Sequence, residues 1–590
     1  MAEQRFEDPQ KKAWMVSFFD ENHLNYATSP ELVASPAQVR FMVYLQPDER
    51  FYPCSERIFE EVMARKKSPL LGEMYNQVWS RIFNLVESKM DDPEKRAFLI
   101  DLLNIKFDHE TANYNTLPSR VEKRLFKLFM VTTMIEDPLA REKETFNRRA
   151  ANLYDSPDFV RAVNHPPGPH TPAPCFSDVN VESVRRHLDA TKLRRLFQAS
   201  VQTRLWESEY DPPDFEQWQD IFDRPVTSDG WEDLENFLLT PVDDLVGHWV
   251  PRRILYLANR TGEIVFDLAV IQFLIRLGHT VIMAVKNAAI YDVVYLGDLE
   301  NDPVLRRLTE DAELITDSAL GKNQLAAALR NDKPFKLITD GTMEKLNLLR
   351  TSATFARVFK EVDGVISKGA DQRRRFFLSP FEFTQDVYNL SPAENSGLSV
   401  QHKPICPRVT RFTTSDLEDK AQDIIDQMRE AKRRGMIVIF YSGIVGSVPG
   451  ETETAIQVMT TFIEDLERQQ AGTMIINPAK FFEKGMDADD LMYMWEIVQR
   501  SGLIDIWRFQ SYQDIEHSFA LLGRKVPPQW VGKDATYSTG STKERSIAAD
   551  VQKSNPEMQI IGPDLEKFLR RGEYGIGLFH DTRLVNLYQP

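Results

Sequence analysis

The chain has 590 residues, 42% apolar and 27% charged, so it can bury a large core and, at ~150 residues per domain, should form several domains. Its formal net charge of −16 and the lack of a long basic stripe argue against nucleic acid as a partner. We also expect no membrane partner, because MAEQRFEDPQKK is not a leader pattern and the longest apolar stretch, 254–285, is interrupted by charged residues.

The first 245 residues are predicted to form a helical N-terminal domain. Segments such as YNQVWSRIFNLVES and VEKRLFKLFMVTTMIE space their apolar residues three and four apart, which gives each helix one buried face. The stretch NHPPGPHTPAP, residues 164–174, must be a loop because proline breaks helices. Its histidines, His165 and His170, are interpreted as loop residues rather than metal ligands.

The pattern changes at Ile254, and residues 246–410 are predicted to form an α/β domain. Buried strands are indicated by ILYLAN, TVIMAVKN, AELITDS, KLITDG and GVISKG. Helices are indicated between them by EIVFDLAVIQFLIRLG, NQLAAALRN and the segment 349–362. Alternating strands and helices imply right-handed crossovers and a doubly wound, mainly parallel sheet.

A second α/β domain is predicted for residues 411–590. MIVIFYSG, TMIINP and IDIWRF read as strands, and 452–469 and DADDLMYMWEIVQRSG read as helices. The segment 378–420 is interpreted as a connection. YSGIVGSVPGETET is expected to be a strand-to-helix turn, and YSTGSTKERS a solvated or mobile loop.

The three cysteines are far apart in the sequence, at Cys54, Cys175 and Cys406. This spacing matches neither a CxxC metal site nor a disulfide framework. A reducing, cytoplasmic setting is the simplest expectation.

Polar residues follow the predicted strands of the first α/β domain, at Asn259 to Glu263, Lys286, Asp292, Asp340 and Lys368. In an open parallel sheet these carboxyl ends meet at one edge, where ligands bind. Carboxylate and amide oxygens suit Mg²⁺ or Mn²⁺, whereas Lys and Arg suit phosphate oxygens. The combination favours phosphoryl chemistry, although each residue alone is explained by capping.

Three segments carry a family resemblance: YLANRTGEIVFDL, VIMAVKNAAIYDVVYLGDLEND and GVISKGADQRRRF. Together they resemble the damage-control phosphatase family, whose members have a DNxGE segment after the first strand, an ND-V pair after the second and a KG segment closing a later one. The resemblance spans about residues 250–410. It implies a metal-dependent phosphatase acting on sugar phosphates and related metabolites, with a helical part packed on a doubly wound α/β core.

The resemblance also implies which residues form the site. The metal positions of the family correspond to Asn259, Arg260 and Asp292, so that Asn259 and Asp292 are the expected ligands of Mn²⁺ or Mg²⁺. Arg260 departs from the pattern, because a guanidinium has no acceptor atom and cannot coordinate a cation. The resemblance further implies that Asp292 and Glu263 are catalytic. It also implies that the substrate is bound by Arg260, Lys368, Gly369, Asp371 and Arg374.

Two accounts of Arg260 are open. It can replace the metal and bind phosphate directly with its planar fork, or it can form an ion pair with Asp292 or Glu263 in a site that has decayed. The leading hypothesis is a divergent phosphatase-like protein that hydrolyses or binds a phosphorylated small molecule. The alternative is a catalytically inactive binding or scaffold protein whose C-terminal domain carries a separate role, including that of a nucleotide- or sugar-binding enzyme.

Overall fold

A computed structural model describes residues 8–24, 43–44, 54–166, 181–207, 211–227, 230–239, 251–379, 381–393, 397–448, 451–481, 483 and 485–570. The chain divides into two compact units. One contains residues 6–320 and 329–407, and the other contains residues 321–328 and 408–589. His170, Cys175 and most of the proline-rich loop lie outside the described residues.

The described residues before 240 are mainly helical, as the apolar spacing predicts. Several of these helices begin with a serine or aspartate followed by proline, as at Ser68, Asp92 and Ser156. The serine or aspartate side chain accepts a hydrogen bond from a backbone N–H of the first turn, and proline has no N–H that needs a partner. The elements are α1 (Pro9–Glu21), β1 (Val43–Tyr44), α2 (Glu56–Met63), α3 (Pro69–Lys89), α4 (Pro93–Thr111), α5 (Pro118–Thr133), α6 (Ala140–Tyr154), α7 (Pro157–Val163), α8 (Val181–Ser200), α9 (Arg204–Glu207), α10 (Phe215–Phe222) and α11 (Gly230–Leu239).

The predicted strand and helix alternation follows. Its elements are β2 (Arg253–Leu257), α12 (Glu263–Arg276), β3 (Thr280–Val285), α13 (Leu296–Asn301), α14 (Pro303–Leu308), β4 (Glu313–Leu314), α15 (Lys322–Arg330), β5 (Phe335–Thr339), α16 (Ala353–Glu361), β6 (Gly364–Lys368), α17 (Gly369–Phe376), β7 (Glu382–Phe383), β8 (Asp386–Pro392) and β9 (Leu398–Lys403). The sheet has the order β4-β5-β3-β2-β6-β8-β9, and all neighbours are parallel except β8 and β9.

Helices cover both faces of this sheet, so it is doubly wound as expected. Ile254 and Tyr256 of β2 share a buried core with α12. The alternate residues Leu255 and Leu257 are also buried and point to the opposite face, against which α16 packs. A strand buried on both sides explains the continuous apolar run of ILYL.

The strand order places a switch point between β2 and β6. From β2 the chain moves to β3 on one side and later crosses back to β6 on the other. The turns after β2 and β6 therefore lie side by side at the carboxyl ends, and in open α/β sheets such a switch point is where ligands bind.

The segment after residue 378, interpreted from sequence as a connection, contributes strands to the first unit. β8 pairs with β6, and β9 pairs antiparallel with β8. β7 pairs antiparallel with the short β1. The prediction missed them because the prolines of this segment indicated a linker, whereas Pro392 and Pro404 lie at strand ends, where a ladder N–H is not needed.

The second unit contains a parallel sheet with the order β11-β10-β12-β13. Its elements after residue 408 are α18 (Thr414–Arg433), β10 (Ile437–Ser442), α19 (Thr452–Gln469), β11 (Thr473–Ile476), α20 (Ala488–Gln499), β12 (Ile506–Phe509), α21 (Tyr512–Leu521), α22 (Thr539–Ser554), β13 (Gln559–Ile561) and α23 (Leu565–Leu569), with short 3₁₀ turns at Pro478–Phe481, Pro528–Trp530 and Ala535–Tyr537. The expectation of a loop over YSTGSTKERS is wrong, since Ser538 caps α22 and the segment begins that helix.

Across the described residues, no helix combines the length and the apolar character needed to span a bilayer.

Gly364 provides a test of the packing at the start of β6. A Cβ there would overlap the ring of the buried Phe237 in α11. We expect Gly364→Ala to lower the free energy of unfolding by about 1–3 kcal/mol through overpacking, measured by urea and thermal unfolding. Gly72→Ala in α3 is the control, because its Cβ would make only ordinary contacts and alanine favours a helix. Equal effects of the two substitutions would contradict this packing argument.

Candidate functional site

The turn after β2 is held by the helical region. Gly262 has φ +77° and starts α12, and a Cβ at this position would overlap the indole of Trp206. Its N–H donates to Asn147 Oδ1 of α6 at 2.6 Å, while Asn147 Nδ2 donates to Asp302 at 2.8 Å. Only glycine fits this close approach, so the NRTGE turn has one geometry.

Arg260 and Asp292 form an ion pair at the open end of the turn. Arg260 Nη1 lies 3.5 Å from Asp292 Oδ2, and the two side chains are 51% and 38% exposed. The backbone N–H of Thr261 donates to the carbonyl oxygen of Asp292 at 3.0 Å, which ties the two loops together. Tyr291, just before Asp292, has φ +48°, a strained conformation that costs on the order of 1 kcal/mol or more.

Lys368 lies at the centre of the site and is fully buried. Its Nζ is 2.6 Å from Glu263 Oε1 and 2.6 Å from Asp267 Oδ1, and it also donates to the carbonyl oxygen of Ser200 at 3.0 Å. Tyr256 donates its hydroxyl to Asp267 at 2.7 Å. This group joins the end of β6 to α12 and β2 across the switch point.

Burial and charge oppose each other in this group. Burial raises the pKa of Asp267 to about 6, although Lys368 acts in the opposite direction. Burial alone would lower the pKa of Lys368, but the carboxylates of Asp267 and Glu263 outweigh it and raise that pKa above its ordinary value. Lys368 is therefore a fixed ammonium, whereas Asp267 can take up a proton in mild acid.

Gly369 brings the KG segment against the first turn. It has φ +82°, and a Cβ on it would lie 2.8 Å from Asn259 Nδ2, so that glycine is again required. Asn259 Nδ2 lies 3.4 Å from Glu263 Oε2. The loops after β2 and β6 thus meet at the switch point, as the strand-end argument predicts.

Asp371 and Arg374 form an exposed pair on α17. Arg374 Nη2 is 3.4 Å from Asp371 Oδ1, and Lys345 Nζ is 3.3 Å from the other oxygen of Asp371. Within the described part of the chain, neither makes a hydrogen bond or an ion pair with Arg260, Asp292 or Lys368. The structure gathers Asn259, Arg260, Glu263, Asp292, Lys368 and Gly369, and leaves Asp371 and Arg374 to one side.

Several residues of the site were not found from the sequence. Asp267 had a signal, since it is a lone acid in the otherwise apolar helix EIVFDLAVIQFLIR. Asn147, Trp206 and Glu207 had none, because they come from the helical region far earlier in the chain. Burial raises the pKa of Glu207. The positive charge of Arg260 lowers this pKa, whereas the carboxylates of Asp292 and Glu263 raise it further.

The residues at this strand end do not fit a divalent cation. Each carboxylate already has a cation of the chain beside it, Arg260 for Asp292 and Lys368 for Glu263. No three His, Cys, Asp or Glu side chains in the described ranges converge as a metal site. Arg260, at the family's remaining ligand position, has no acceptor atom, and its guanidinium 3.5 Å from Asp292 would repel a cation bound there. We therefore derive no chemical step through a metal.

The buried ammonium gives a stability test. Lys368→Met leaves Glu263 and Asp267 as uncompensated buried carboxylates, and we expect a loss of about 3–5 kcal/mol near pH 8. Without the ammonium, the pKa of Asp267 in the folded state rises further above its unfolded value. A carboxyl group whose pKa is raised by folding stabilises the folded state below its unfolded pKa, and this stabilisation disappears as the pH rises through the folded pKa. The free energy of unfolding lost in Lys368→Met should therefore grow as the pH rises from 5 to 8. Urea unfolding at several pH values measures it.

Lys336→Met is the matched control, because Lys336 is equally buried but its carboxylate partner Glu313 is partly exposed, 2.7 Å away. Because Lys336 lowers the pKa of Glu313, the contribution of this ion pair to the free energy of unfolding is already complete at pH 5. A loss for Lys368→Met that is independent of pH between 5 and 8, like the control, would contradict the assignment of Asp267 as the titrating group.

Comparison with known proteins agrees with this layout. The family description "Damage-control phosphatase ARMT1-like domain" matches residues 70–379, more than half of the chain. A crystal structure of a DUF89 family protein from Pyrococcus horikoshii is 16% identical and covers 55% of this chain and 90% of its own, with a TM-score of 0.38, too low to carry an argument. No curated protein gives a significant match. With a matched region that includes every residue of the site, this chain belongs to the ARMT1-like damage-control phosphatase family.

Proposed function

We propose that this protein binds a phosphorylated small molecule, such as a sugar phosphate, at the switch point between β2 and β6, as a divergent phosphatase-like member of its family. The observation that carries the proposal is the half-exposed guanidinium of Arg260 beside Asp292. It stands next to Asn259, against which Gly369 begins α17. A guanidinium and the first N–H groups of a helix are both good phosphate ligands.

Each residue has a distinct role in this proposal. Arg260 binds two phosphate oxygens, and the backbone of Gly369 offers an N–H. Asp292 positions the guanidinium of Arg260 at the open end of the turn through their ion pair. Glu263 and Lys368 are buried, so they position the two loops rather than touch the ligand. Asp371 and Arg374 bind parts of the substrate that extend toward α17.

Binding without a resident metal fits these residues better than hydrolysis does. The family's activity depends on a divalent ion such as Mn²⁺ or Mg²⁺, but Arg260 occupies a ligand position and pairs with Asp292. The charges of Glu207 and Asp292 both act on Arg260. Arg260 is therefore the one group in the described turn 259–263 that can attract an anion, and its removal should be decisive.

The alternative is a protein whose phosphatase-like unit is catalytically inactive, while the second unit carries a separate function. The order β11-β10-β12-β13 gives that sheet its own switch point between β10 and β12. Ser442 and Gln510 lie there, and Ser442 donates a hydrogen bond to the buried Glu544 of α22. Burial raises the pKa of Glu544, whose hydrogen-bond donors Ser442 and Gln499 only partly offset it.

We place the protein in the reducing cytoplasm. Cys54 and Cys406 are buried free thiols, as expected where disulfides do not persist. The net charge of −16 makes a small phosphorylated metabolite a better partner than nucleic acid.

Arg260→Gln tests the proposed function. We expect it to weaken binding of a sugar monophosphate at least about tenfold, because a charge-assisted bidentate contact is lost. Isothermal titration across a panel of sugar phosphates, each with and without EDTA, measures the dissociation constant. Binding by the wild type should be unaffected by EDTA.

Arg307→Gln is the matched control. Arg307 Nη2 lies 3.6 Å from Asp155 in an ion pair at least as exposed as that of Arg260 and Asp292. This variant should bind as the wild type does. If both variants bind equally well, or if EDTA abolishes wild-type binding, the metal-free assignment to Arg260 is wrong.

Asn259→Asp combined with Arg260→Asn restores the family pair and should create a divalent-ion site. Asp292 would lose its cation and gain an anionic neighbour, which favours Mn²⁺ or Mg²⁺. We expect the variant to bind Mn²⁺, detected by metal analysis and titration, and to release phosphate from the same panel. Asn259→Asp alone, which keeps Arg260, should not. If the double variant binds no metal, restoring these two family residues is not sufficient to restore a metal site.

A further inference from the structure

A group of positive charges lies beyond the carboxyl end of β5, away from the turn after β2. Arg120 and Lys123 belong to α5, and Arg350 belongs to the loop before α16. Their charged groups converge on Glu344 Oε1, which lies 3.0 Å from Arg120 Nη1, 3.7 Å from Lys123 Nζ and 3.4 Å from Arg350 Nε. We name these four residues the basic cluster.

The basic cluster is not electrically balanced. Three cations share one carboxylate, so two positive charges are in excess. Within the described ranges, no other carboxylate lies at ion-pair distance from Arg120, Lys123 or Arg350. Glu344 and Arg120 are buried, whereas Lys123 and Arg350 are 22% and 20% exposed. Holding like charges together at low exposure is costly unless a counter-charge arrives.

Neutral groups of the fold satisfy only part of the cluster. Arg350 Nη1 donates to the carbonyl oxygen of His23, just after α1. A carbonyl satisfies a donor but brings no negative charge. Arg120 Nε is buried without a hydrogen-bond partner among the described residues. Burial lowers the pKa of Lys123, Arg120 and Arg350 lower it further, and Glu344 only partly offsets them.

We propose that the basic cluster is a second anion site, which binds an oxyanion such as phosphate on the solvent side of Lys123 and Arg350. Arg350 can present a planar pair of donors and Lys123 a point charge, which together suit a tetrahedral phosphate. β3 lies between β5 and β2, so Glu344 and Arg350 follow a strand that is not the neighbour of the one before Arg260. This site does not depend on the proposed function.

The test uses the full chain carrying Arg260→Gln, so that the proposed substrate site does not contribute. Inorganic phosphate at constant ionic strength should raise Tm by roughly 2–4 °C at ten times Kd. Adding Lys123→Gln and Arg350→Gln should abolish this shift. Lys95→Gln, which removes a lysine paired one to one with Asp92 at 3.6 Å, should leave it intact. No shift in the parent, or an equal shift in all three proteins, would overturn the proposal.

Glu344→Gln keeps the proposal falsifiable if the double variant does not fold. It removes the shared carboxylate and increases the positive excess. We expect a lower Tm without phosphate and a larger phosphate-induced shift than in the parent. A shift no larger than that of the parent would overturn the site.

Two sources of the oxyanion can be separated with Arg260 intact. A sugar bisphosphate that binds at least tenfold more tightly than inorganic phosphate, and loses this advantage both in Arg260→Gln and in the Lys123→Gln, Arg350→Gln double variant, would span both sites. If the advantage is absent while the phosphate-induced shift persists, the cluster binds a separate anion. Binding through the cluster in either form supports the proposal.

Discussion

The site depends on one buried interaction, the Lys368 ammonium between Glu263 and Asp267. These three groups lie on β6 and α12, which the chain reaches from opposite sides of the switch point. Removing one charge from such a group leaves the others unpaired in a low dielectric, which costs more than the intact group contributes. We infer that the interaction positions the two loops relative to each other, because Lys368 ends β6 and Glu263 begins α12.

Charge is divided unevenly along the carboxyl edge of the first sheet. Near β2 the carboxylates outnumber the cations, since Glu207, Glu263, Asp267 and Asp292 face Arg260 and Lys368. Beyond β5 the balance reverses around Glu344. An anion is therefore favoured by the excess of cations beyond β5, whereas near β2 only Arg260 can offset the surrounding carboxylates for a bound phosphate.

The sequence predicts the sheet well because strand burial and strand-helix alternation are local properties, as ILYLAN and the helix from Glu263 demonstrate. It also predicts that Asn259, Asp292 and Lys368 lie at one edge. It does not reveal that Lys368 is buried, because its partner Asp267 is about a hundred residues away and the pairing needs the crossover. The roles of Asn147 and Trp206 are still harder to predict, because both residues lie in the helical region and contact Gly262 in a turn that follows much later in the chain.

Arg260 lies at the open end of a turn whose geometry is held by other residues. Gly262, its hydrogen bond to Asn147 and the hydrogen bond from Thr261 to Asp292 hold this turn without using the side chain of Arg260. A metal brings Lewis acidity to a phosphate, whereas a guanidinium brings only charge and hydrogen bonds. In the proposed function, a turn that presents Arg260 where the family has a metal ligand supports recognition of a phosphate rather than its hydrolysis.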